Sequence, residues 1–387
     1  MATIALTTYR DLMDHTLDYL GSSASKDANR DARRAIQAAY RELTYSHRWS
    51  YFYQRGRLNT VASYTTGTIT YTHTGGSSER LVTLAGGTWP SWADLGQIAV
   101  NNIVYQVAER KSDTLITLSI NSNPGANVAA GTSYTLYRDS YVLPVDFLAC
   151  DEMINTNNYL RLRFVPPGTW LSRQRILHSP ATPHIYSIAG GADYYGAMSV
   201  SFFPPPDQIY AIDFLYQRRP RPLLIDEYKT GTASVNATST TVTGTGTTWT
   251  SSMVGSAIRL SGNTTDFPTN NIGANLYVAE RIITAFTSAT SITVDAAINT
   301  GYTGVKYLIS DPVDIEEGAM MNALLRCIEK QTTISRIMRN EQIAEETYRK
   351  TLLWARETDS RSFARTGSGG DSDVYRLIHF PKGPDVS

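Results

Sequence analysis

Thr114-Leu115-Ile116-Thr117-Leu118 is answered later in the chain by Thr290-Ser291-Ile292-Thr293-Val294, and the stretches around both run in the same order. Before the first come Gly67-Thr68, Gly87-Thr88-Trp89, Leu95-Gly96 and Tyr105-Gln106-Val107-Ala108-Glu109-Arg110; after it comes Tyr134-Thr135-Leu136. The second set reads Gly231-Thr232, Thr247-Thr248-Trp249, Val254-Gly255 and Tyr277-Val278-Ala279-Glu280-Arg281, and closes on Tyr307-Leu308-Ile309. Self-similarity of this kind marks a repeated structural unit. Each copy alternates β-branched residues between Gly, Asn and Ser turns, the pattern of short antiparallel strands. The expectation is two similar small β-barrel or sandwich modules, at 58–140 and 229–310.

Outward from the modules the period changes. Between them, 141–228 reads as a central antiparallel β segment. Ser199-Val200-Ser201-Phe202-Phe203 meets Pro204-Pro205-Pro206, and Ile209 to Tyr216 alternates beyond it, so a hairpin with its prolines in the turn is expected. At the chain ends the period is helical. Tyr9, Leu12, Met13, Thr16, Leu17 and Leu20 share one face, with Gly21 as terminator. Asp27 stands where it can cap a second helix with Ala32, Ala35, Ile36, Ala39, Tyr40 and Leu43 on its apolar side. Asp314 and Glu317 have capping-box spacing ahead of Met320, Ala323, Leu324, Cys327 and Ile328. A last helix is read from Ile334, Ile337, Met338, Ala344, Tyr348, Leu352 and Ala355. One-sided stripes need partners, so 1–57 and 311–365 are expected to pack as a bundle. The fold class is α+β.

Composition limits the function classes. Lys plus Arg and Asp plus Glu both number 35, so the basic excess of a nucleic-acid wrapper is missing. Charged residues are only 18% and there are 24 Tyr; low charge with many aromatics suits a surface covered by neighbours, or simply a β-rich chain. Cys150 and Cys327 have no metal-ligand spacing and read as small buried apolar residues. Met1 to Leu6 meets Tyr9-Arg10-Asp11 too soon for a signal peptide, and no apolar run approaches the roughly 18 residues of a membrane span.

Catalytic, metal and cofactor signatures are missing. His15, His47, His73, His178, His184 and His379 form no metal-binding spacing. Gly86-Gly87 and Gly190-Gly191 lack a following Lys-Ser or Lys-Thr, and no Gly-Xaa-Ser-Xaa-Gly occurs. Asp151-Glu152 and Glu316-Glu317 are adjacent carboxylates rather than a pair across a cleft. No catalytic residue, metal ligand or cofactor is assigned, and the chain is not expected to be an enzyme. Two basic groups, Arg30, Arg33 and Arg34, and Arg218, Arg219 and Arg221, are candidates for meeting acidic groups of a neighbouring subunit or the phosphates of passing DNA.

From residue 366 the composition is that of a flexible linker, Gly367-Ser368-Gly369-Gly370-Asp371-Ser372-Asp373. It tethers an apolar, β-prone peptide, Val374-Tyr375-Arg376-Leu377-Ile378-His379-Phe380-Pro381. This 366–387 tail is read as a docking segment that orders on a partner, by adding a strand to it.

Several pieces carry a family likeness. They are Ala32-Arg33-Arg34-Ala35-Ile36-Gln37-Ala38-Ala39-Tyr40-Arg41-Glu42-Leu43 with His47-Arg48-Trp49, Leu143-Pro144-Val145-Asp146-Phe147, Thr182-Pro183-His184-Ile185-Tyr186, Phe203-Pro204-Pro205-Pro206, and Tyr216-Gln217-Arg218-Arg219-Pro220. This ordered set, with the closing helices, resembles head-to-tail adaptor (connector or neck) proteins of tailed bacteriophages. It covers most of the chain outside the two modules, which depart from the minimal family pattern. The resemblance implies a ring, usually of twelve copies, beneath the portal protein at the capsid vertex. It implies a next tail component (nozzle, stopper or tail tube) on the other side, transient contact with genomic DNA, no membrane, and assembly in the host cytoplasm into the virion neck. It also implies that the tail at 374–381 reaches into the portal. A second reading is a tail or fibre-attachment protein whose modules bind other virion proteins or glycans; a third, a wall-degrading hydrolase, requires Glu152 or Glu317 to be catalytic.

Overall fold

The computed structural model describes residues 7–21, 26–73, 79–174, 179–191, 197–269, 275–335 and 341–366. Two units share the chain: Met1–Tyr51 with Pro220–Ser387, and Phe52–Arg219. The first helix, α1 (Tyr9–Tyr19), opens with a reciprocal cap. Thr8 Oγ1 accepts from the Asp11 N–H, while the Asp11 carboxylate accepts from the Thr8 N–H at 2.9 Å. Gly21, at φ +61°, follows its last turn. The second helix, α2 (Lys26–Tyr45), buries Ala32, Ala35, Ile36, Ala39, Tyr40 and Leu43, the stripe read from the sequence, and Ala28 besides.

The Phe52–Arg219 unit begins with β1 (Tyr53–Asn59). Module 1 follows with β2 (Thr68–Thr72), β3 (Leu81–Ala85), β4 (Gln97–Val100), β5 (Ile103–Arg110), β6 (Leu115–Leu118), β7 (Val128–Thr132) and β8 (Tyr134–Tyr137). They form one nearly closed sheet in the order β7-β2-β3-β6-β5-β4-β8 around Ile69, Val82, Trp89, Ile98, Ile116 and Leu136. The central segment carries β9 (Ser140–Val142), β10 (Phe147–Asn155), β11 (Leu160–Arg161), β12 (Arg163–Phe164), α3 (Pro167–Gln174), β13 (Ile185–Gly190), β14 (Met198–Phe203) and β15 (Ala211–Arg218). Two four-stranded sheets, β1-β15-β10-β11 and β12-β13-β14-β9, share one core of Tyr141, Phe147, Met153, Tyr186, Phe202, Phe214 and Tyr216.

Two expectations are corrected here. The strands flanking Pro204-Pro205-Pro206 are not a hairpin: β14 and β15 lie in different sheets. Three consecutive prolines supply no N–H for a ladder, so the segment carries the chain between the sheets while Phe202 and Phe214 enter the common core. Residues 53–57, read with the N-terminal helices, instead belong to β1, antiparallel to β15 from Tyr53↔Gln217 to Asn59↔Ala211. Gly56 faces Phe214 in that register, and any Cβ at 56 would collide with the Phe214 ring.

Back in the first unit, module 2 contains β16 (Thr232–Val235), β17 (Ser239–Thr245), β18 (Ala257–Leu260), β19 (Ala279–Ser288), β20 (Ser291–Ile298), β21 (Tyr302–Val305) and β22 (Tyr307–Ser310). Its sheet order is β21-β16-β17-β20-β19-β18-β22, strand for strand the order of module 1. The likeness extends to side chains. Val82↔Ile116 becomes Val242↔Ile292, and Ile98↔Leu136 becomes Ile258↔Ile309. Trp89 meets Tyr134 edge-on at 5.2 Å, and Trp249 meets Tyr307 edge-on at 5.8 Å. Gly67 and Gly231 take φ +83° and +82°, each packed where a Cβ would strike a carbonyl, of Ala85 and of Thr245.

One element of the repeat as read from sequence is overturned. Tyr105–Arg110 and Tyr277–Arg281 are not equivalent. Ile98 pairs with Tyr105 but Ile258 pairs with Arg281, and Ile116 pairs with Arg110 but Ile292 pairs with Phe286. The cause is unequal connections. Only Asn101-Asn102 join β4 to β5, whereas 261–278 join β18 to β19, so the look-alike motifs fall at different heights on their strands.

The chain closes with α4 (Ala319–Ser335) and α5 (Glu341–Thr366). α4 packs on α1, α2 and α5, so the first and last helices form a bundle. The expected capping box at Asp314 and Glu317 is not formed, because α4 starts only at Ala319. Instead Asp314 accepts from the Arg221 N–H at 2.9 Å and Glu317 accepts from the Thr7 N–H at 3.1 Å. Ile334 lies in the last turn of α4, exposed, and is not part of the last helix; Ile337 and Met338 lie outside the described residues.

Candidate interaction surfaces

Most of the candidate basic residues engage their own chain. On α2, Arg33 pairs with Asp226 at 2.6 Å and Arg30 pairs with Asp27 at 3.1 Å. Arg34, exposed, has no ion-pair partner among the described residues. Arg221 reaches Asp311 at 3.2 Å and the Val254 carbonyl at 3.1 Å. With Gln37 donating to the Leu223 carbonyl and the Tyr40 hydroxyl to the Arg221 carbonyl, these contacts strap 221–226 along α2. In the other unit, the Arg218 guanidinium lies 5.3 Å from the Phe52 ring centre and the Arg219 N–H donates to the Asp146 carbonyl. The structure thus gives Arg33 and Arg221 an internal anchoring role that the sequence did not reveal.

One cluster has the residue types of a hydrolase triad. His47 Nε2 lies 3.2 Å from Asp359, and Ser50 donates to the same carboxylate through both its N–H and its hydroxyl. Serine activation needs the hydroxyl to face the imidazole; here serine and histidine both face the aspartate. Burial raises Asp359, but the bonds from His47 and Ser50 outweigh it and hold the carboxyl below its ordinary value. Arg356 adds a 2.7 Å bond to the Ser46 carbonyl, so this set pins α5 to the chain leaving α2. One carboxylate of each adjacent pair is engaged elsewhere: Glu152 pairs with Arg161 at 3.1 Å, and Glu317 accepts from the Thr7 N–H. Burial pushes the Cys150 thiol up to about 11 and the Cys327 thiol up to about 12, so neither is a thiolate at neutral pH. Among the described residues no group of His, Cys, Asp and Glu could hold a metal ion, and no helix is long and apolar enough to cross a membrane.

The feature the sequence reading missed is a tyrosine at the β10–β11 turn. Tyr159 is 85% exposed and sits at φ +55°, a conformation that costs a bulky residue roughly 1–3 kcal/mol. The turn is held rigidly by its polar residues. The Asn155 side chain accepts from the Asn157 N–H at 3.0 Å, and the Asn158 side chain from the Leu160 N–H at 3.1 Å. Asn157 also bonds the Ala211 N–H and the Ile209 carbonyl, and the Thr156 hydroxyl donates to the Ala211 carbonyl. Leu160 and Ile209, 39% and 63% exposed, belong to the same corner. The signal was legible as Thr156-Asn157-Asn158 running into Tyr159-Leu160: a turn followed by two large apolar residues with no strand face to bury them. In the other unit, α5 exposes Ile343, Leu353 and Trp354.

The peptide read from sequence as a docking segment, Val374, Tyr375, Arg376, Leu377, Ile378, His379, Phe380 and Pro381, lies outside the described residues, as does its linker. A scan against protein-family models finds no match to this chain, and a search of curated proteins finds no significant relative.

Proposed function

We propose that this chain is a structural assembly protein, one subunit of a ring that joins the portal of a tailed bacteriophage to the next tail component and surrounds the path of the genome. The observation that supports assembly is Tyr159: an aromatic side chain held out to solvent, at conformational cost, on a turn fixed by five side-chain hydrogen bonds. Rigid exposed tyrosines are the residues that anchor protein interfaces, because little entropy is lost when they dock. The β10–β11 turn itself calls for a residue at positive φ, but it does not call for a large exposed aromatic there, and binding supplies a reason for one. Repeated around a closed ring, one modest contact per subunit becomes a stable assembly. The portal as partner, the tail at 374–381 as the lock and the twelvefold copy number rest on the family resemblance.

The test is cosedimentation of the purified chain with the portal ring of the same phage, full length and truncated after Arg365, with mass read by light scattering. Stoichiometric binding lost on truncation is the expected result. Failure of folded, full-length chain to bind an intact portal overturns the proposal in favour of fibre attachment.

A further inference from the structure

We propose that module 2 contains a binding site for a neutral saccharide, independent of the adaptor reading. The site is an open cavity of about 340 Å³ where the start of β19 meets the turn between β20 and β21. Tyr277, Glu280, Arg281, Asn299, Thr300 and Tyr302 line it. Its volume falls at the low end of ligand pockets, ~300–1,000 Å³, enough for one or two sugar rings.

The chemistry of the wall selects the ligand class. Tyr277 and Tyr302 line the cavity, and aromatic residues are the type that covers the C–H surface of a pyranose. Neither hydroxyl, nor the Asn299 carboxamide, nor the Thr300 hydroxyl, has a hydrogen-bond partner among the described residues. Four neutral polar groups with donors and acceptors to spare fit a polyol. The charged residues are committed elsewhere. Glu280 bonds Arg259 at 2.7 Å, and the Arg281 guanidinium is fixed on the carbonyls of Ala296, Glu280 and Ala297 at 3.2, 2.7 and 3.1 Å. With its carboxylate already paired, the cavity has no excess negative charge for a cation. Three of the five N–H donors of the Arg281 guanidinium are held by carbonyls, which leaves fewer of them for a phosphate or carboxylate.

The wall is preorganised. Arg259 is buried, bonded to Asp11 and Glu280, and its guanidinium stacks 4.9 Å from the Tyr277 ring centre, which fixes that ring. It is also specific to this copy of the repeat. Tyr277 and Val278 belong to the 261–278 connection, where module 1 has only Asn101-Asn102. The place of the short Asn299-Thr300 turn is taken in module 1 by residues 119–127, which fold back on β5. There the Ser119 N–H donates to the Gln106 carbonyl at 2.9 Å and the Gln106 N–H to the Ser122 hydroxyl at 3.0 Å. The two copies share a core and strand order and differ at this wall, which is where a second role added to one copy would be written.

Saturation-transfer NMR on the full-length protein tests this with methyl glucoside, methyl galactoside, N-acetylglucosamine and lactose as probes, and with sialic acid and inorganic phosphate as charged comparators. Weak saturable binding of at least one neutral sugar is expected, reduced tenfold or more by Tyr302→Ala. Thr300→Arg, at an exposed turn, is expected to block the cavity equally while leaving the core intact, so a folding defect in Tyr302→Ala does not end the test. Asn101→Arg in module 1 is expected to leave sugar binding unchanged, at some cost in stability because Asn101 sits at φ +51°. No saturable sugar binding by folded protein, binding insensitive to Thr300→Arg, or binding of the charged comparators alone overturns the proposal. None of these outcomes bears on whether the chain joins a portal.

Discussion

The Trp249 indole Nε1 donates to the Tyr307 hydroxyl at 3.0 Å, and that hydroxyl donates onward to the Thr230 carbonyl. In the other copy the Tyr134 hydroxyl donates to the Thr66 carbonyl, but Trp89 Nε1 is buried with no hydrogen-bond partner among the described residues. Tyr307→Phe strands the buried Trp249 N–H, whereas Tyr134→Phe strands no buried group, because Thr230 and Thr66 are exposed and their carbonyls can turn to water. A stranded group costs about 1–3 kcal/mol. Tyr307→Phe is therefore expected to lower stability by more than Tyr134→Phe, as read by calorimetry of the two variants.

Gly56 is opposed to Phe214 with no room for a side chain between backbone and ring. Gly56→Ala is expected to destabilise by about 1–3 kcal/mol, the usual cost of overpacking. Combining it with Phe214→Leu is expected to cost less than the sum of the two single changes, because the smaller side chain relieves the clash. Additive effects in a urea double-mutant cycle would sink this account of β1 packing.

Arg259 joins module 2 to α1 through Asp11, and both Asp11 and Glu280 are largely withdrawn from water. Arg259→Met removes the cation that both carboxylates face, although Asp11 keeps its bonds from the Thr8 N–H and hydroxyl. Breaking a buried ion pair from one side costs about 3–5 kcal/mol. The amides of Tyr9–Tyr19 are expected to exchange faster in that variant, whereas exchange in module 1 stays unchanged.

Acid sensitivity follows from three carboxylates in the first unit. Burial raises Glu42, Glu329 and Asp359, but hydrogen bonds from Lys330 and Gln331, from His15 and Arg326, and from His47 and Ser50 leave all three below their ordinary values. A carboxylate depressed in the folded state contributes stability that is complete above its unfolded value and lost as pH falls through its folded value. Asp14, raised by burial, works in the opposite sense. Melting temperature is expected to hold near neutrality and to fall below about pH 4.5, the unfolded glutamate range. Asp359→Asn is expected to flatten that fall, in melts recorded across the acid range.

Tyr159 separates folding from assembly. Asn tolerates positive φ far better than a bulky aromatic, so Tyr159→Asn is expected to leave the melting temperature unchanged or slightly higher. The same change is expected to reduce the mass of the assembled species in light scattering. A variant that assembles like the parent would remove Tyr159 as an interface anchor.

The sequence by itself determined the classes of element and the duplication. Helical stripes such as Ala32, Ile36, Ala39 and Leu43, and paired landmarks such as Trp89 and Trp249 or Ile116 and Ile292, are periodic and local, so they are legible without coordinates. Where a short motif stood in for register, at Tyr105–Arg110 and Tyr277–Arg281, the reading failed, because pairing is fixed by connection length and by the partner strand. Only the tertiary structure decided that β14 and β15 enter different sheets and that β1 joins β15. It alone gave Arg33 and Arg221 carboxylate partners, and it alone placed Tyr277 beside Tyr302. Each of these depends on contacts between residues far apart in the chain. Their energy comes from burying shared surface and satisfying backbone groups across a sheet, terms that no local pattern of residues encodes.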